Sequence, residues 1–281
     1  MNERLEVKKT YKLFIGGAFP RSESGRTYEA KGPDGAFIAN SSLASRKDLR
    51  DAVVAARNAQ IRWAGATAYN RGQILYRIAE MLEGRRAQFA TEIAALDGIS
   101  LQEAELEVHT AIDRWVWYAG WSDKLAAING STNPVAGPFY NFTIPEPMGV
   151  IGAIAPENQS LLGLVDAIAP IIVSGNTTVV LASTRAPLPA MTFAEVLATS
   201  DLPAGVCNIL TGQKSELAPW FASHMDIDGL DISGVDESSR SDIKIAGVEN
   251  LKRIHVFDDA ATPQRIFAFM EAKTVWHPIG V

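Results

Sequence analysis

From Gly149 to Val256 the chain repeats one pattern: a short, continuously apolar run, a turn, then a stretch with helical spacing. The apolar runs are Gly149-Val150-Ile151-Gly152-Ala153-Ile154, Thr177-Thr178-Val179-Val180-Leu181, Val206 to Leu210, Ile227 to Ile232 and Leu251 to Val256. Leu161 to Val173, Pro187 to Ala198, Glu216 to His224 and Ser238 to Ala246 suit helices between and after them. A run without polar alternation reads as a strand buried on both faces. Strands separated by helices pair in parallel through right-handed crossovers. The spacing therefore predicts an α/β fold built on a Rossmann-like doubly wound parallel sheet.

The flanks follow other periods. Lys12-Leu13-Phe14-Ile15-Gly16-Gly17 reads as a short strand closed by a glycine turn. Asp48 is placed to cap a helix whose Leu49, Ala52, Val53 and Ala56 share one face. Ile74, Leu75, Ile78 and Leu82 give a second apolar stripe, and Val108, Ala111, Ile112, Trp115 and Ala119 a third. Trp115, Trp117 and Trp121 read as helix packing. Tyr140 to Ile144 is a polar-apolar stretch before Pro145-Glu146-Pro147. In the tail, Pro263 to Phe269 suits a helical turn, and Glu271 to His277 alternates like a half-buried strand that needs an edge to pair with.

Composition removes several classes. The 281 residues are 47% hydrophobic and 21% charged, enough for a full core without disulfides or metals. The first nine residues are charged and carry no apolar signal segment, and Gly149 to Ala155 is too short to span a bilayer. The lone Cys207 forms no internal bridge, so a cytoplasmic location is expected. A dispersed net charge of −6 argues against a nucleic-acid partner. His109, His224, His255 and His277 lack metal-ligand spacing, and no Gly-x-Gly-x-x-Gly, P-loop or Gly-x-Ser-x-Gly motif occurs.

A set of collinear segments carries a resemblance: Leu13-Phe14-Ile15-Gly16-Gly17, Tyr118 to Lys124, Glu146-Pro147-Met148-Gly149-Val150-Ile151-Gly152, Ser174 to Val180, Leu202 to Gly212 and Ser223 to Asp228. Together they resemble the aldehyde dehydrogenase superfamily over most of the chain. Met270 to Val275 resembles the family's C-terminal strand, which pairs there with an oligomerisation hairpin. Here it follows Leu251-Lys252-Arg253-Ile254 after a short connection, where the family has a whole catalytic domain. The resemblance implies four regions: N-terminal strand and helices over 1–135, an oligomerisation hairpin over 136–150, the Rossmann-like domain over 151–260, and an oligomerisation strand over 261–281. The chain resembles the degenerate second copy found in a duplicated-domain subgroup.

The resemblance also locates the chemistry. The family's nucleophilic cysteine belongs to the absent domain, and Cys207 reads as a buried structural thiol. The glutamate base sits in a Glu-Leu-Gly-Gly segment, replaced here by His255-Val256-Phe257-Asp258-Asp259, whose two carboxylates read as a solvated turn. Asn158 matches the oxyanion asparagine as a vestige or a helix cap, so no catalytic residue is expected. Asn158, Arg185, Ser233 and Gly234 are the cofactor-binding positions that remain. The lysine that reaches the adenosine ribose is Ala182 here. Asp231, Asp236 and Glu237 crowd the helix start that would hold the pyrophosphate. The family cofactor is NAD or NADP; with the site so eroded, none is expected to bind.

Three readings stay open. The first is a non-catalytic assembly subunit, a homo-oligomer or a hetero-oligomer with a full-length aldehyde dehydrogenase, driven by an unpaired tail strand and by apolar surface that loss of a domain uncovers. The second is an NAD(P)-dependent oxidoreductase with residual or partner-complemented activity. The third is a binding module for another nucleotide or an acidic metabolite, using Arg185, Lys214 and Asn158 at the sheet's carboxyl edge.

Overall fold

The computed structural model describes residues 9–258 and 261–280, so Asp259 of the expected turn lies outside the described residues. Three sheets organise the chain. The first joins β1 (Thr10–Tyr11), β2 (Thr27–Lys31) and β3 (Phe37–Ser42) in the order β1-β3-β2. Four long helices follow: α1 (Arg46–Ala64), α2 (Ala68–Glu83), α3 (Arg86–Asp97) and α4 (Leu101–Ala119). After the short α5 (Leu125–Asn129) come β4 (Ser131–Asn133) and β5 (Phe139–Pro147).

The alternating segment then runs β6 (Val150–Ile154), α6 (Leu162–Val173), β7 (Thr177–Leu181), α7 (Leu188–Ala198), β8 (Cys207–Leu210), α8 (Lys214–Ser223), β9 (Gly229–Asp231), α9 (Glu237–Ala246) and β10 (Arg253–His255). These five strands are all parallel, in the order β10-β9-β6-β7-β8. Every residue of β6 and β7 is buried, as an uninterrupted apolar run requires. The α6 and α7 helices cover one face, backed by α2, α3 and α4. On the other face lie α1 and α8. Two apolar cores result, one per face, holding Trp115, Phe193 and Ile168 on one side and Leu49, Val53 and Phe221 on the other. Trp115 is fully buried and stacks on Phe193 at 5.7 Å, while Trp117 and Trp121 pack partly buried against the same core. No helix among the described residues is long and apolar enough to cross a membrane.

Several local expectations are corrected. The strand expected over Lys12–Gly17 is a pair of isolated bridges, Phe14 to Ile209 and Ile15 to Ala18, closed by Gly16 and Gly17 at φ 60 and 78. Those left-handed angles build a tight turn that L side chains resist. The Phe14 bridge lies beside β8, at one edge of the central sheet. The α1 cap is Ser45, not Asp48: the Ser45 hydroxyl accepts from the Lys47 and Asp48 amides, and the Asp48 carboxylate accepts back from the Ser45 amide at 2.8 Å. The pair is a capping box, in which the third helical residue is easily mistaken for the cap. Sequence reading missed β2, β3 and α3 altogether.

The largest correction concerns the tail. The α10 helix (Pro263–Phe267) and β11 (Met270–Pro278) end the described chain, and β11 is not unpaired but meets the hairpin strand that the resemblance implied. It runs antiparallel to β5 in an unbroken register from Met270 opposite Pro147 to Pro278 opposite Phe139. The third sheet is therefore β11-β5-β4, an arm whose first strand starts at Ser131. Residues 256–269 connect β10 to β11, and the part of them from α10 to Phe269 covers apolar surface. Ile266 and Phe269 are buried, α10 packs on α6, and Arg265 donates to the Asp166 carbonyl at 2.9 Å.

Candidate functional site

The strand order reverses between β6 and β9, so the ligand crevice of such a sheet corresponds to the region beyond their carboxyl ends. Doubly wound sheets bind ligands at this topological switch point. Glu157 and Asn158 enter it after β6, and Ser233 and Gly234 after β9. A Cβ on Gly234 would lie 2.0 Å from the Ala155 carbonyl oxygen, so the two loops meet backbone to backbone. Three of the four expected positions, Asn158, Ser233 and Gly234, thus fall on these two loops, and Arg185 follows β7 on the neighbouring turn, where its amide donates to the Glu157 carboxylate at 3.0 Å.

The crevice is furnished by the chain itself. From the first turn of α8, Lys214 Nζ donates to the Ala155 carbonyl at 2.5 Å and the Gly234 carbonyl at 3.2 Å, and pairs with Glu157 Oε1 at 2.6 Å. Three acceptors are what an ammonium with three donors needs. The Glu157 carboxylate also accepts from the Ser183 hydroxyl at 2.7 Å. Burial is the largest single influence on Glu157 and raises its pKa, but the hydrogen bonds from Lys214, the Arg185 amide and Ser183 together bring it below the ordinary carboxylate value. Burial lowers the Lys214 pKa in spite of the same partner. The two directions conflict if each is read as the strength of the pair. They agree if the amine loses more hydration than one carboxylate returns, the usual balance for a covered ion pair.

The start of α6 is already occupied by an anion of the chain itself. The cap residue of α6 is Leu161, which offers no side-chain bond, and Asn158 is exposed on the loop before it, so the asparagine is not the cap. Glu107 reaches over from α4 instead. Its Oε1 accepts from the Leu161 amide at 2.9 Å and the Leu162 amide at 3.1 Å. Burial raises the Glu107 pKa, and those two amides partly restore it. At the loop before α9, the Ser233 hydroxyl donates to Asp231 at 2.5 Å and accepts from the Phe257 amide at 2.9 Å. Asp231 is buried, and burial raises its pKa. The Arg185 guanidinium sits 2.9 Å from the buried Asp97 carboxylate, an ion contact bent out of hydrogen-bond geometry.

Two of the groups that a pyrophosphate would use are engaged within the chain. A pyrophosphate binds where helix amides and hydroxyls point outward unpaired; here a carboxylate already holds the α6 amides, and the Ser233 hydroxyl is spent inside the protein. Ala182, at the position of the family lysine, is fully buried. Cys207 is buried at the start of β8, and burial pushes its thiol pKa up, the opposite of what a nucleophile requires. Among the described residues no group of His, Cys, Asp and Glu is placed to hold a metal. Glu107, Glu157 and Asp97 were not singled out from sequence. Glu107 lies 54 residues from the amide it caps, so no local spacing announces it.

The family profile described as aldehyde dehydrogenase family matches residues 19–273. Human cytosolic 10-formyltetrahydrofolate dehydrogenase is 35% identical over 271 residues, covering 93% of this chain and 30% of its own length. Human retinal dehydrogenase 2 is 36% identical over 270 residues, covering 94% of this chain and 51% of its own. The structure of a Bacillus cereus aldehyde dehydrogenase in complex with NAD+ superposes with a TM-score of 0.83 at 28% identity, over 88% of this chain and 50% of that one. The chain thus spans about a third to a half of the relatives it matches, and with a family profile running over most of its residues it belongs to the aldehyde dehydrogenase family.

Proposed function

We infer that this chain is a non-catalytic assembly subunit of the aldehyde dehydrogenase family, associating with itself or with a full-length member. One observation carries the reading: β10 passes to β11 through residues 256–269, whose α10 packs on α6, so no catalytic domain is inserted there. The crevice supports it, because its donors and charges are matched internally by Lys214, Glu157 and Glu107. The surface points to partners. The arm is exposed on most of β11, and Ile245, Val248 and Leu251 at the end of α9 are exposed apolar side chains.

Calorimetric titration with NAD and NADP at millimolar concentration is expected to show no binding, and assays with aldehydes no turnover. Light scattering on the purified chain, alone and mixed with a full-length aldehyde dehydrogenase, is expected to show a mass above that of one chain. Turnover of an aldehyde by the chain alone, or a monomer indifferent to any such partner, would overturn the reading.

A further inference from the structure

The arm leaves one long edge open, and its backbone shows which atoms face outward. At one end of the β5–β11 ladder the Met148 amide donates to the Phe269 carbonyl at 3.3 Å; at the other the Ile279 amide donates to the Pro138 carbonyl at 2.8 Å. Both bonds continue the register of the strands. Bonded pairs alternate along an antiparallel ladder, so Glu271, Lys273, Val275 and His277 bond inward to β5. Ala272, Thr274 and Trp276 then direct their amides and carbonyls away from it. Met270 shares that outward phase, and its carbonyl is reached from outside the ladder by Arg253 Nη1 at 2.6 Å. The open stretch is therefore Ala272 to Trp276, at the outer strand of the sheet.

We propose that this edge pairs with the same edge of a second copy, antiparallel, with Thr274 on the two-fold axis. The proposal rests on the assembly reading and names its partner. A two-fold antiparallel pairing must set outward residues opposite one another, which any axis from Glu271 to His277 does. An axis at Glu271 or Lys273 sets like charges face to face, and one at Val275 or His277 calls on the absent amide proton of Pro278. An axis at Ala272 calls on the Met270 carbonyl, already taken by Arg253. An axis at Trp276 sets two tryptophans face to face and calls on Pro278, which has no amide proton. An axis at Thr274 sets the engaged Met270 carbonyl opposite Pro278 of the other copy, so the missing donor coincides with the acceptor already taken. It sets Trp276, 57% exposed, across from Ala272 of the other copy, the smallest side chain of the strand. It brings Glu271 opposite His277 and Lys273 opposite Val275, with no like charges facing. The result is a continuous six-stranded sheet across two chains.

Thr274→Cys tests the axis directly, because the native Cys207 is buried and silent. Paired residues on the axis sit about 5.5 Å apart between Cα atoms, within reach of a disulfide. Mild oxidation should convert most of the Thr274→Cys protein to covalent dimer and leave Glu271→Cys monomeric on denaturing gels. Ala272→Pro deletes an outward amide while leaving the β5 ladder its bonds; it should keep the native circular dichroism spectrum and lose the dimer in sedimentation velocity. A dimer that Thr274→Cys does not cross-link overturns the edge pairing and leaves the assembly reading standing. A chain that is monomeric alone and assembles only on a full-length dehydrogenase does the same. A monomer with no partner at all overturns both.

Discussion

The central sheet and the arm differ in strand chemistry and in surroundings: apolar parallel runs in one, an alternating antiparallel ladder in the other. β6 and β7 are buried along their whole length, sandwiched between helices. β11 is exposed at seven of its nine positions and forms the edge of its sheet. One sheet is held by apolar burial, which scales with area removed from water. The other is held by register, cross-strand pairs and the ring contact of Phe139 with Trp276 at 5.7 Å. In the first, a change of shape should be ruinous; in the second, it should be nearly silent for folding and audible in association.

The sharpest break of that contrast is Gly234→Ala. The added methyl would sit 2.0 Å from the Ala155 carbonyl oxygen, and backbone on both sides leaves it nowhere to move. A loss of about 4 kcal/mol, or failure to give soluble folded protein, is expected in denaturant titration. Full tolerance would mean that the β6 and β9 loops are not in contact. Next come two truncations of the same residue type. Trp115→Ala empties a fully buried site stacked on Phe193 and should cost about 3–5 kcal/mol. Trp276→Ala should cost less than about 1 kcal/mol of unfolding free energy while weakening any dimer. Equal costs would erase the distinction between the sheets.

Glu107→Ala probes the crevice with a smaller effect. Two buried amides lose their acceptor, a loss of about 1–2 kcal/mol on the scale of other helix caps. It should also vacate an anion seat at the start of α6. Titration with pyrophosphate is the check: weak binding that appears in the variant and not in the parent shows that the carboxylate stands where a phosphate would.

What was legible in sequence follows the same division. Thr177–Leu181 came out with its observed bounds because a buried parallel strand writes itself as an unbroken apolar run. Thr27–Lys31 and Phe37–Ser42 did not, because they are short and half exposed and carry polar residues throughout. The Ser45 cap was misplaced onto Asp48 since both residue types cap helices and only the backbone angle, φ −105 and ψ 172 at Ser45, separates them. Asn158, Ser233 and Gly234 were singled out through the family resemblance, and the structure sets them on the two loops after β6 and β9. Their partners were not: Glu107 to Leu161 and Arg185 to Asp97 are tertiary contacts between elements far apart in sequence.

The smallest expected effect is a pH dependence at the start of β10. Lys252 is almost covered, and its Nζ donates to Asn250 Oδ1 at 2.5 Å. Burial lowers its pKa to about 8, against the pull of Asp228 and Glu249 in the other direction. In the unfolded chain the amine titrates near its ordinary value of about 10.4. Between those values the unfolded chain binds a proton that the folded chain has released, so this group adds stability as pH rises from 8 towards 10 and withdraws it as pH falls back. Lys252→Met keeps the aliphatic stem and deletes the titration. Comparing the two proteins cancels every other group, so wild type minus variant isolates the slope. The difference should move in favour of wild type by about 1 kcal/mol or less between pH 7.5 and 10, since water reaches the amine and screens the full linkage value. A flat difference would mean that the amine is as well hydrated as any on the exposed arm.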